Sequence, residues 1–105
     1  MANKNEPLTE SYYYILLCLY KGANHGYGIM QDTLELSEEN VKIGSGTMYG
    51  ATSNMMKKGW IIETNGNSDY ERKRLYELTE LGKKVLENEI IRLKKLIASS
   101  EKIIK

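Results

Sequence analysis

The chain has 105 residues, a formal net charge of +1, 41% hydrophobic residues and 28% charged residues. That length suggests one domain, and the balance supports a packed core and excludes intrinsic disorder. A single cysteine, Cys18, excludes an intramolecular disulfide, and no apolar run approaches the roughly 18 residues of a membrane span.

The charge is unevenly placed. Residues 1–40 set Lys4 and Lys21 against Glu6, Glu10, Asp32, Glu35, Glu38 and Glu39, a balance of −4. Residues 41–62 carry Lys42, Lys57 and Lys58 and no carboxylate, so nothing there repels a phosphate. Met1 to Glu10 is polar and lacks the apolar centre of a signal peptide, and a cytoplasmic location is expected.

Thr9 or Ser11 is placed to cap a first helix that runs to about Tyr20, with Gly22 ending it. This helix is apolar on two stripes, Tyr12, Ile15, Leu16 and Leu19 on one and Tyr13, Leu17 and Tyr20 on the other, so one side needs a partner beyond its own domain. Cys18 lies in an apolar run and reads as a core thiol. His25-Gly26-Tyr27-Gly28 opens a second helix, to about Leu36, with Tyr27, Met30 and Leu34 on its expected buried face. Ser37 to Asn40 reads as a turn and Val41 to Ile43 as a very short extended segment.

A third helix starts with Ser45 or Gly46 as its cap and ends at Gly59. Met48, Ala51 or Thr52, and Met55 fall inward at helical spacing. The other face offers Thr47, Tyr49, Gly50, Ser53, Asn54 and Lys57, without a large aliphatic side chain. Trp60 to Thr64 is rich in strand formers, Asn65-Gly66-Asn67-Ser68 is a dense turn signal, and Glu71 to Leu78 returns carrying Arg72, Lys73 and Arg74. Thr79 caps a last helix on which Leu86, Ile90, Leu93, Ile97 and Ile104 form a heptad-like seam. So long an apolar stripe on one helix predicts association with a second copy.

The predicted fold class is therefore mainly α with a small β-hairpin, a winged helix-turn-helix over residues 9–78 plus a C-terminal dimerisation helix over 79–105. In that arrangement the third helix enters the major groove of DNA and the hairpin lies on the backbone beside it. Gly44 and Gly46 permit close approach, and free N–H groups at a helix start attract phosphate. Ser45, Thr47 and Tyr49 supply hydrogen-bond donors, and Ser53, Lys57, Arg72, Lys73 and Arg74 complete the candidate DNA-binding set with Gly46. Tyr12, Leu16, Leu86, Ile90, Leu93 and Ile97 are the candidate dimer interface.

Other chemistries find no footing. One His and one Cys cannot build an N/S zinc site in a single chain, so no metal is expected. Tyr49 stands where a dinucleotide fingerprint needs its third glycine, and there is no Walker A motif, so no cofactor is expected either. No base is placed beside a nucleophile, and the chain is not expected to be an enzyme.

His25-Gly26-Tyr27-Gly28-Ile29, Gly46-Thr47-Met48-Tyr49, Lys58-Gly59-Trp60-Ile61 and Tyr76-Glu77-Leu78-Thr79-Glu80-Leu81-Gly82 resemble, in this order, the motifs of the PadR family of bacterial transcriptional regulators. The resemblance covers roughly residues 10 to 100, and the single last helix looks like the smaller of the family's subgroups, which includes multidrug-sensing repressors. It implies a homodimeric repressor whose third helix and wing hold a roughly palindromic operator in double-stranded DNA. Ser45, Gly46, Thr47 and Tyr49 would touch DNA, and Arg74 takes the place of a common wing Lys or Arg. In some small members an aromatic ligand enters a cavity at the dimer interface, so a small hydrophobic or aromatic effector is a further candidate partner. The chain departs from the family where Pro often replaces Ser45 or Gly50 and where bulky basic residues stand near Ser53 and Asn54. That moves phosphate contacts toward Lys57, Lys58 and the wing. The last helix also lacks the tryptophan with which drug-sensing relatives stack a ligand; the only one is Trp60. The competing reading is a winged-helix protein-interaction module without specific DNA binding.

Overall fold

A computed structural model describes residues 6–65 and 74–104. Four helices and three strands follow in the order α1 (Glu10–Tyr20), β1 (Asn24–His25), α2 (Gly26–Leu36), α3 (Ser45–Lys57), β2 (Ile61–Asn65), β3 (Arg74–Leu78) and α4 (Glu80–Ile103). The fold is mostly helical, and its antiparallel sheet has three strands in the order β1-β3-β2 rather than the two of a bare hairpin. Ile61 pairs with Leu78 and Asn65 with Arg74, while Asn24 and His25 pair with Tyr76 and Leu75 on the other edge of β3.

The short strand is thus at Asn24–His25, before α2, and Val41 to Ile43 forms no strand. The physical reason is the free edge of β3, which the chain leaving α1 reaches first. Ile43 instead anchors the α2–α3 connection by burying its side chain. Glu38 and Glu39 turn that connection with left-handed φ of 53° and 67°, and the buried Ser37 hydroxyl accepts the Val41 N–H at 2.9 Å.

Threonine hydroxyls cap the starts of α1 and α4. Thr9 accepts the Tyr12 N–H at 3.1 Å. Thr79 accepts the Gly82 N–H at 3.0 Å and donates its own hydroxyl to the Gly59 carbonyl at 2.6 Å. His25 caps α2 through Nδ1, which accepts the Gly28 N–H at 3.1 Å. Gly59, with φ of +79°, supplies the left-handed residue that lets α3 turn into β2.

The core joins Ile15, Leu16, Cys18 and Leu19 of α1 to Ile29, Met48, Ala51, Met55, Ile61, Tyr76, Leu78 and Leu86. Each Ile, Leu and Met among them contributes on the order of 1.5–3 kcal/mol on leaving water. α2 buries Ile29 and Thr33, whereas Tyr27, expected on that face, is 63% exposed. The inner stripe runs through Ile29 and Thr33, one position before the expected Met30 and Leu34, which are half-buried beside it.

α4 spans 24 residues, about 36 Å at helical rise. Its first half packs on α1, with Leu86 in the core. Its second half runs clear of the domain, leaving Ile91, Leu96, Ile97, Ile103 and Ile104 more than half exposed. Glu89, on the same helix, is 3% exposed. Its carboxylate is held by the Arg92 guanidinium through two bonds of 2.8 Å and by the Leu8 N–H at 3.2 Å. The Arg92 hydrogen bonds hold this carboxyl below its usual range, outweighing burial, which acts the other way. Among the described residues no helix is long and apolar enough to cross a membrane.

Candidate nucleic-acid interface

α3 divides cleanly into two faces. Met48, Ala51, Thr52 and Met55 are buried, and the Thr52 hydroxyl is satisfied by the Met48 carbonyl at 3.0 Å. Ser45, Gly46, Thr47, Tyr49, Gly50 and Lys57 are exposed, with Tyr49 at 66%, and Ser53 is half-buried beside them.

The start of α3 differs from that of the other helices. Its cap is Gly44, not Ser45 or Gly46, and no side chain accepts from its first turn. The N–H groups there therefore keep their hydrogen-bonding capacity for an external acceptor, at the positive end of the helix dipole.

The glycines of this face answer to nothing inside the protein. A β-carbon built on Gly44, Gly46 or Gly50 would meet no atom within 4 Å, and none of the three has a positive φ. A glycine within an exposed helix costs about 1 kcal/mol relative to alanine. Gly46 and Gly50 leave a shallow, side-chain-poor strip of helix, with Thr47 on one side and Tyr49 and Ser53 on the other.

Arg74 begins β3 at the open end of the hairpin ladder, opposite Asn65. It makes a loose 3.4 Å ion pair with Glu63, in which the Arg74 side chain is mostly in solvent and that of Glu63 about one-third exposed. Arg72 and Lys73 lie outside the described residues. Lys57 closes α3 as its last-turn cation.

Of the residues expected at a dimer interface, Leu16 and Leu86 are 0% and 1% exposed within the single chain. They are core residues, because α1 crosses the first half of α4 and seals both against the sheet. Tyr12, Ile90 and Leu93 are half-buried and Ile97 is exposed. The seam therefore faces inward at its start and outward at its end.

Two contacts near the site had no local signal in the chain. Asn54 Nδ2 donates to the Tyr12 hydroxyl at 3.0 Å, tying α3 to α1. The Tyr12 and Trp60 rings meet edge to face at 6.5 Å. Both join residues more than forty positions apart.

The model of the transcriptional regulator PadR-like family matches residues 15–88. The chain belongs to the PadR-like transcriptional regulator family. A PadR family transcription regulator from Clostridium difficile is similar at 25% identity and a TM-score of 0.74, over 92% of this chain and all of that one. A transcriptional regulator from Clostridium thermocellum shares the fold at 24% identity and a TM-score of 0.77, covering 90% of this chain and 92% of that one. PadR of Bacillus subtilis, solved in complex with operator DNA, is 26% identical with a TM-score of 0.68, over 76% of this chain and 46% of that one. No curated protein matches the chain. These relatives make the winged helix-turn-helix with a C-terminal helix the fold of this PadR-like regulator.

Proposed function

We propose that this PadR-like regulator is a homodimeric repressor that binds a roughly palindromic operator through α3 and the wing and is released by a small hydrophobic or aromatic effector. The observation that carries the reading is the outer face of α3, where uncapped N–H groups, two glycines without an internal role and the exposed Thr47 and Tyr49 stand together without a carboxylate. Ser45, Gly46, Thr47 and Tyr49 meet bases and adjacent phosphates, while Lys57 and the wing cations Arg72, Lys73 and Arg74 neutralise the backbone and release counterions. Ser53 sits where the helix leaves the groove. The likeness to B. subtilis PadR, whose structure holds operator DNA, supports the same use of the fold here.

The exposed second half of α4 supports a dimer, since five large aliphatic side chains on one protruding helix are costly in water. Ile97 joins Tyr12, Ile90 and Leu93 in the proposed interface, and two copies would set recognition helices on the order of 34 Å apart, one DNA turn. The test is binding to the chain's own upstream DNA and to random DNA at two salt concentrations. Preference for the upstream fragment at higher salt is expected; no binding by a folded dimer at low salt would overturn the reading.

A further inference from the structure

α3 is seated on the core by a soft stripe. Two of its buried side chains are Met48 and Met55, unbranched and adaptable, so they fill space without fixing an angle. A third, Thr52, turns its hydroxyl back to the helix's own Met48 and Tyr49 carbonyls. Apolar burial is non-directional, and such a stripe sets the roll of the helix about its own axis only loosely.

One directional contact supplies what the stripe lacks. Asn54 Nδ2 donates to the Tyr12 hydroxyl at 3.0 Å, and among the described residues no other side-chain hydrogen bond joins α3 to another element. Tyr12 is itself held, its ring edge to face with Trp60 at 6.5 Å. The ammonium of Lys58, the residue that caps the end of α3, stands 5.5 Å from the centre of that indole. Asn54, Tyr12, Trp60 and Lys58 thus close a circuit that leaves α3 and returns to it four residues later. The amide and the phenol are both half-buried, where a hydrogen bond is stronger than in open water.

The geometry of a helix makes its roll matter. Thr47 stands two turns before Asn54 on nearly the same line of α3, about 10 Å along the axis. A roll of about 20° carries side-chain tips, roughly 5 Å from the axis, through about 2 Å. A hydrogen bond to a base edge does not survive a shift of that size.

We propose that Asn54 and Tyr12 are positioning residues for DNA recognition: their bond sets the roll of α3 on α1 and so aims Thr47 and Tyr49. The use of that aim in reading bases rests on the functional reading above; the setting of α3 does not. Asn54 lies beside the outer face of α3 and acts there through Tyr12, without touching DNA.

Tyr12→Phe keeps the ring and removes the acceptor, and Asn54→Ala removes the donor. Amide NMR spectra of the isotope-labelled full chain, without DNA, are compared with those of each variant. Shifts or broadening at Gly46, Thr47 and Tyr49, far along the helix from either change, are expected in an otherwise native spectrum. Changes confined to the neighbours of residues 12 and 54 overturn the positioning.

Binding to the chain's own upstream DNA and to random DNA is then measured for wild type, the two single variants and the double variant. Each single variant is expected to lose about 10-fold in preference for the upstream fragment, with random-DNA binding unchanged. The double variant should lose no more than either single one, as two partners of one bond do. Losses that multiply in the double variant would mean that Asn54 acts on DNA itself, and they overturn the pairing; equal losses on both DNAs, or an unchanged preference, overturn it as well. A wild type that does not distinguish the two DNAs overturns the repressor reading, and the amide spectra still decide whether the bond sets α3.

Discussion

Gly82 lies directly against the backbone carbonyl of Trp60, so close that a β-carbon on residue 82 would overlap that oxygen and crowd the Leu78 side chain. The same carbonyl accepts the Thr79 N–H at 3.0 Å, so it cannot swing aside without breaking the start of α4. Gly82→Ala should therefore destabilise the protein by about 2 kcal/mol, as overpacking against backbone does. Urea unfolding of the variant checks this, and an unchanged midpoint would show that α4 can shift on β2.

On the outer face of α3 alanine should do the reverse. Gly46→Ala and Gly50→Ala meet nothing inside the chain and should each stabilise it by about 0.5–1 kcal/mol. In the proposed binding mode each should also weaken binding to operator DNA, because the added methyl would stand between the helix and the groove. Melting temperature and DNA affinity measured on the same samples should move in opposite directions; a gain in both would remove this strip from the interface.

Arg74 gives up little to meet a phosphate, since its exposed pair with Glu63 at 3.4 Å contributes only about 0–1 kcal/mol. Arg74→Ala should leave stability nearly unchanged and reduce the slope of log K against log salt by about 1. A slope equal to wild type would place this end of β3 away from the DNA.

The Glu89–Arg92 pair joins the arm to α4. Glu89→Gln removes the charge and leaves Arg92 without its partner, at a cost of about 2 kcal/mol near neutral pH. A carboxyl whose folded value is depressed contributes stability that is complete above its ordinary value near 4.5 and is lost as pH falls through the folded value. The difference between wild type and Glu89→Gln should thus be constant above about pH 5 and close below about pH 4. A difference that stays the same into acid would mean that the carboxylate charge does not stabilise the fold.

How much of this was legible in the chain follows from the range of the interactions. Thr9 and Thr79 announced their helices because a cap acts on an N–H three residues away. The inner stripe of α3 was legible for the same reason, its spacing being local. β1 was not, because a two-residue strand has no period and exists only through its pairing with β3, about fifty positions on. Tyr27 misled because an apolar ring at helical spacing says nothing about where the helix is anchored. Leu16 and Leu86 looked like interface because periodicity marks an apolar face without saying whether the same chain or another covers it. Glu89 was hidden by its charge, although Arg92 three residues on was the signal that such a charge could be buried.

Replacing Leu93 and Ile97 together by Asp should separate these possibilities for the rest of the stripe. Ile97 is 59% exposed in the single chain, so the double variant should keep its helical signal and sediment as a monomer. A folded dimer would move the main interface away from the end of α4.

His25 does two jobs with adjacent atoms. Its backbone is paired in register with Leu75 of β3, and its ring nitrogen holds the first turn of α2. A push on β3 is consequently delivered, one residue later, to the foot of the helix that precedes α3. β3 and α2 thus meet in a single residue, and a load on β3 would reach α2 as torque rather than be absorbed in a hinge.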